Sequence, residues 1–270
     1  MIRRNQYVLD TYSMAEYPKL YQNSLFVNPD KIARKAMSVY RVVNVIIASF
    51  GLGLLILMAT SDYKPSMIKA NEDMVFVIFY FGLQIAPHML LEILTYKWYG
   101  NMRKIAVLPT RTADLTPRRL SDFIPLPVVV LAVVLYGTWL TLFLVGDGFG
   151  SEHATRIYFY IFMVTLSHFF LAVMTARFIK GKKHGPHQAR ADQMRSIKVA
   201  VNSNVFSSIL LSLYLTVDNH VADFNLTQYE PVFLSLFLTL IIAVSVLVLH
   251  QINKIEDVDF SAYKADGAGK

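Results

Sequence analysis

Cysteine is absent from all 270 residues. That excludes disulfides, thiolate nucleophiles and Cys-ligated zinc or iron–sulfur centres, and any metal would have to rest on histidine or carboxylate. The short signatures of self-contained catalysts are missing as well. There is no His-Glu-x-x-His, no Gly-x-Ser-x-Gly, no Walker lysine motif and no Gly-x-Gly-x-x-Gly, so a catalyst carrying its own machinery is not expected. A leader is not expected either. Arg3 and Arg4 are followed by Asn5, Gln6, Asp10, Thr11 and Tyr12, where a signal peptide needs an apolar run.

What is present is apolar. Hydrophobic residues make up 54% of the chain and the mean hydropathy is +0.41, more than a water-facing surface tolerates, which makes lipid the expected solvent. A hydrocarbon core of about 30 Å needs roughly 20 apolar residues per helix. Six stretches meet that length: Tyr40 to Thr60, Met74 to Tyr96, Ile124 to Val145, Ile157 to Ile179, Ile197 to Val217 and Val232 to Ile252. The expected fold is therefore all-α, a polytopic bundle of six transmembrane helices spanning residues 40–252. Residues 1–39 form a preceding segment and residues 253–270 a following tail. The fifth stretch is interrupted by Asn202, Ser203, Asn204, Ser207, Ser208 and Ser212, and such a helix is expected to be shielded from lipid.

Orientation comes from the cations. Of the 26 Lys and Arg residues, 23 fall on the side of the two termini and the loops 97–123 and 177–198, while Lys64, Lys69 and Arg156 fall on the other. The positive-inside rule puts both termini in the cytoplasm and the chain in a cell membrane, of the bacterial inner-membrane kind. A net charge of +7 then reflects membrane orientation rather than nucleic-acid binding. The three hairpins in series show no residue-level repeat, and inverted-repeat transporter logic does not apply.

Two further elements are expected on the cytoplasmic side. Asp30 to Ser38 alternates Ile32, Ala33, Ala36 and Met37 with Lys31, Arg34 and Lys35, a short amphipathic helix lying at the interface. Thr116 before Pro117 marks an N-cap with proline at the first helical position, so one or two turns are expected to end before Pro125. That loop, with Arg111, Asp114, Arg118 and Arg119, is either a docking surface for a soluble partner such as an ATPase or a basic strip resting on anionic headgroups. His184 and His187, in the second basic loop, are expected to be solvated rather than metal-bound.

Inside the spans, ionisable groups are costly and are candidates for function. Gln84, His88 and Glu92 recur every four residues on one helix face, with Pro87 between them. His168 lies midway along the fourth span, at a depth near that of His88, and His250 on the sixth lies at the level of Glu92. With Asn202 and Asn204 these outline an inward-open polar cavity. It would serve a proton or ion relay through His88 and Glu92, a divalent metal on His88, Glu92 and His168, or a haem between paired histidines. The plainer alternative is that these groups hydrogen-bond between helices. Gly51-Leu-Gly53 invites close helix contact, and Trp139, Phe169 and Phe170 read as packing or lipid contact.

Size, six spans, cytoplasmic termini and an interfacial helix before the first span resemble the permease subunits of ABC-type exporters. The resemblance is one of architecture, and the 218–230 connection is shorter than that family leads one to expect. It implies transport, as a permease-like subunit or a membrane-embedded accessory. A haem- or metal-binding redox protein and a non-catalytic assembly or signalling protein stand as the alternatives. No cofactor is predicted outright, and the expected partners are the bilayer, its anionic headgroups and a soluble subunit at the basic loops.

Overall fold

Seven helices account for most of the computed structural model, which describes residues 2–22, 28–60, 70–106, 117–147, 154–181, 185–221 and 223–265. They are α1 (Ile2–Thr11), α2 (Pro29–Thr60), α3 (Ala70–Ile105), α4 (Leu126–Asp147), α5 (Ala154–Lys180), α6 (Arg190–His220) and α7 (Glu230–Ile252). No strand occurs among the described residues. The six from α2 to α7 are each long and apolar enough to cross a bilayer, and each matches one of the expected apolar stretches, except that α4 begins at Leu126, two residues after the expected start at Ile124. Their outward faces carry Val45, Ile46, Phe50, Phe76, Phe79 and Leu90, all more than half exposed, a surface that hydrocarbon solvates and water does not.

Two local expectations change. The amphipathic stretch from Asp30 to Ser38 is not a separate helix lying flat; it forms the first turns of α2. The physical reason is continuity. Asn28 accepts the first helical bond, from the Ile32 N–H at 3.3 Å, Pro29 stands at the first position, and no Gly or Pro follows until Gly51, so a change in polarity near Tyr40 comes without any break in backbone preference. Nor does Pro117 open a helix. Residues 117–119 are non-helical and Arg119 is extended, with φ −104° and ψ 153°, so the only regular piece described there is a 3-10 turn at Leu120–Asp122. Its cap is Asp122, whose carboxylate accepts the Arg119 backbone N–H at 2.8 Å. Thr116 lies outside the described residues.

The third hairpin sits between the other two. α6 packs against α4, α5 and α7, α7 against α3, and α3 against α2, which in turn carries α1. A third of the apolar window of α6 is buried, 33% against 6–11% for the other five, as its interrupted composition foretold. Two apolar cores hold α4, α5 and α6 together. One joins Phe123, Ile124, Ile179, Ile197 and Val201; the other joins Trp139, Val164 and Leu215.

α3 is 36 residues long, about 54 Å at about 1.5 Å per residue, well beyond a hydrocarbon core of about 30 Å. It runs past the expected boundary at Tyr96, and α6 begins before Ile197. Both extensions lie at the end of the bundle where α1 and the segment after α7 meet.

The α2–α3 contact depends on one glycine. A Cβ on Gly51 would stand 1.8 Å from the Tyr80 hydroxyl oxygen and 2.3 Å from Cζ, whereas a Cβ on Gly53 meets open space. We expect Gly51→Ala to lower stability in detergent by about 1–3 kcal/mol through overpacking and Gly53→Ala to be nearly silent. Tyr80→Ala in the Gly51→Ala background is expected to recover most of the loss. Thermal unfolding of the four proteins checks this, and equal effects at the two glycines would contradict it.

Candidate functional site

The polar groups singled out within the spans do not gather into one cavity. His168 on α5 turns its Nδ1 to the Ser208 hydroxyl at 2.8 Å and its Nε2 to Ser212 at 3.5 Å, both on α6. Its ring lies 4.7 Å from that of Tyr136 on α4, whose hydroxyl meets Thr165 at 2.7 Å. Asn202 is buried and donates to the carbonyls of Phe123 at 2.9 Å and Lys198 at 2.7 Å, and Asn204 donates to the Thr175 hydroxyl at 3.2 Å.

On α3, Gln84 and His88 are half-buried and make no hydrogen bond among the described residues, while Glu92 is exposed, as is His250 on α7. Among the described residues no group of three or more His, Asp or Glu is placed to hold a metal ion. Both nitrogens of His168 already face hydroxyls, so it is not presented to His88 as half of a haem-ligating pair. These are local bonds that tie α4, α5 and α6 together.

The basic loop before α4 is likewise turned inward at one point. Arg118 donates to the carbonyls of Ile179 at 3.3 Å and Gly181 at 3.1 Å, and to the Gln193 side chain at 3.3 Å. A guanidinium at the C-terminal end of α5 satisfies carbonyls that have no helical partner and complements the dipole there. Arg119 remains exposed. Arg111, Asp114 and His184 lie outside the described residues.

A cavity of about 530 Å³ lies elsewhere, at the end of the bundle where α1 and the segment after α7 meet. The extended ends of α2, α3 and α6 form its walls, through Ile32, Ala33, Ala36 and Met37, through Leu91, Leu94, Lys97 and Trp98, and through Asp192 and Ser196. α1 supplies Asn5, Val8 and Leu9, and the segment after α7 supplies Asn253, Ile255, Val258, Phe260 and Tyr263. Most of the lining is apolar, with a few amides and hydroxyls, the usual make-up of a small-molecule site.

Each closing segment is pinned by identifiable bonds. α1 is fastened to α2 by Arg34, which bonds Asp10 at 2.6 Å, Asp30 at 3.1 Å and the Leu9 carbonyl, and by Arg41 to Gln6. The tail is held by Asp192, only 5% exposed, whose carboxylate accepts from Arg195 and from the Asp259 backbone N–H at 3.2 Å. Arg195 also reaches the Asp257 carbonyl. The two closing segments then meet. The rings of Tyr12 and Phe260 stack with centroids 3.8 Å apart, Tyr21 donates to the Tyr12 carbonyl at 2.6 Å, and the Lys264 ammonium lies 5.7 Å from the Tyr17 ring centroid.

Sequence reasoning passed over this site because it treated residues 1–39 and 253–270 as flanking pieces. The available signal was aromatic: Tyr12, Tyr17 and Tyr21 on one side and Phe260 and Tyr263 on the other are more ring surface than solvated tails retain. No family model, no curated protein and no solved structure shows a significant similarity to this chain.

Two outcomes follow from the packing. Trp139 is fully buried and its indole N–H has no partner among the described residues. Trp139→Phe therefore removes an unsatisfied donor, and we expect it to cost less than about 1.5 kcal/mol, against about 3–5 kcal/mol for Trp139→Ala, by unfolding in detergent. Tyr263 is the second case. Burial first, then Tyr99 and the Asp192 and Asp259 charges, pushes its phenol above the ordinary 10.0. A raised folded value means that the docked tail keeps its full stability below about pH 10 and loses it as the pH climbs through that higher value. Tyr263→Phe is expected to flatten the fall of the unfolding midpoint above about pH 10; an unchanged alkaline slope would count against this.

Proposed function

We propose that the protein is a multi-pass membrane protein with both termini in the cytoplasm, acting in transport as a permease-like subunit or membrane-embedded accessory that binds a small molecule at the cytoplasmic end of its bundle. The observation that carries this reading is the cavity of about 530 Å³ closed by α1 and the tail, a volume in the range of about 300–1,000 Å³ usual for small-molecule sites. The 23 to 3 division of Lys and Arg supports the orientation, and the apolar helix surfaces support the bilayer as surroundings.

Arg103, Lys104, Arg119, Arg177 and Lys180 are exposed and fit anionic headgroups or a soluble subunit such as an ATPase at that end. His168, Asn202 and Asn204 act as interhelical ties in this reading rather than as parts of a relay. Haem or metal ligation has less in its favour, since His168 is enclosed by hydroxyls.

The absence of cysteine permits a clean test with a single introduced thiol at Ala36, on the cavity wall. Ala36→Cys is expected to react with a membrane-impermeant maleimide in inside-out vesicles and to be spared in resting intact cells. Alternating access adds slow labelling from outside in energised cells. Labelling only from the outer face would invert the topology, and labelling from the cytoplasmic side under every condition would end the transport reading and leave a binding or assembly protein.

A further inference from the structure

The charges on the cavity wall narrow what it can hold, and the step taken here rests on the cavity being the binding site. Of its lining residues only Lys97 and Asp192 carry a fixed charge. Asp192 is neutralised where it stands, because Arg195 takes one carboxylate oxygen and the Asp259 N–H the other. Lys97 is exposed and forms no ion pair among the described residues. The wall therefore presents one uncompensated ammonium.

Part of the same lining is aliphatic. Val8, Leu9, Ile32, Ala33, Leu91 and Leu94 come from three helices and contribute no polar side-chain atom. A ligand without charge would leave the exposed ammonium to water and gain nothing from it, and a cation would meet repulsion with no free carboxylate to offset it. Lys97 also has Tyr96, Trp98 and Tyr99 as sequence neighbours, the residue types that mark the depth where headgroup gives way to hydrocarbon. A molecule with its charge at Lys97 and an alkyl chain along α1, α2 and α3 keeps each part in its preferred surroundings.

We infer that the cavity takes an anionic single-chain amphiphile of the long-chain carboxylate class, with its head at Lys97 and its chain against the aliphatic wall of α1, α2 and α3. The Lys97 contact supplies affinity and selects the sign of the head; the aliphatic wall supplies the rest of the binding surface and selects the chain.

The two tryptophans make the test direct. Trp98 lines the cavity and Trp139 is sealed in the core between α4, α5 and α6, so full-length Trp139→Phe protein in detergent carries a single reporter at the site. The probes are dibromostearate, whose bromines quench indole fluorescence on contact, and its uncharged methyl ester. The expected result is saturable quenching by the acid, with the ester roughly tenfold weaker, as the loss of one charge-assisted contact implies. Lys97→Met should bring the acid down to the level of the ester, and Lys97→Arg should restore it.

Equal binding of acid and ester, unmoved by Lys97→Met, would overturn the inference and leave the cavity as a site for uncharged amphiphiles. Failure of both probes to saturate, or quenching that Ala36→Phe does not reduce, would remove the cavity as a binding site and the proposed function with it.

Discussion

A helix that carries amide and hydroxyl side chains through an apolar layer must find partners for them on its neighbours, because hydrocarbon provides none. α6, long and apolar enough to cross a bilayer, carries such side chains, and the placement of the rest follows from their partners. Asn202 takes the Phe123 carbonyl and so fixes the approach to α4, Asn204 takes Thr175, and Ser208 and Ser212 take His168. α4 and α5 are thereby held to one side. On the other, the Tyr214 ring stacks on Phe237 of α7, with centroids 4.5 Å apart, and α7 in turn gives α3 its seat. The hairpin made last in the sequence ends up in the middle of the bundle.

Much of this was legible in the chain. Six apolar runs announce six helices because length and hydropathy are local properties, and the interrupted run from Ile197 to Val217 announces shielding because asparagine and serine have few other solutions in such surroundings. The Gly51-Leu-Gly53 pair announced a close approach; Tyr80 supplies it at Gly51, while Gly53 faces open space. The reading failed where polarity was taken for geometry. The shift from charged to apolar residues near Tyr40 marks where surroundings change, not where the helix stops, and α2 runs straight through it. Depth groups the polar residues of different spans, yet it says nothing about the direction in which each helix turns its face. His168 points to α6, while Glu92 and His250 are exposed.

The cavity was harder to read for a different reason. No periodic pattern encodes it, because its parts come from α1, the ends of three long helices and a tail with only short 3-10 turns. What brings them together is specific chemistry across long separations: one buried carboxylate at Asp192, one guanidinium at Arg34 and a pair of stacked rings. Each of these residues is unremarkable alone. Arg34 sits in a helix face with an ordinary salt-bridge spacing to Asp30, and Asp192 lies in the first turn of α6, where an acidic residue is already favoured. Their second partners, Asp10 and the Asp259 backbone, are visible only once the chain is folded.

The stacking of Tyr12 on Phe260 joins segments from opposite sides of all six long helices, and this bears on the order in which the molecule is made. Residues near Tyr12 leave the ribosome before α2 through α7 and wait, uncovered, while those helices are made. Only when the stretch beyond Ile252 emerges can the rings meet and Asp192 acquire the Asp259 N–H. The site is therefore complete only after all six long helices have been made, and a chain halted before that stretch has its helices without the wall that closes the cavity.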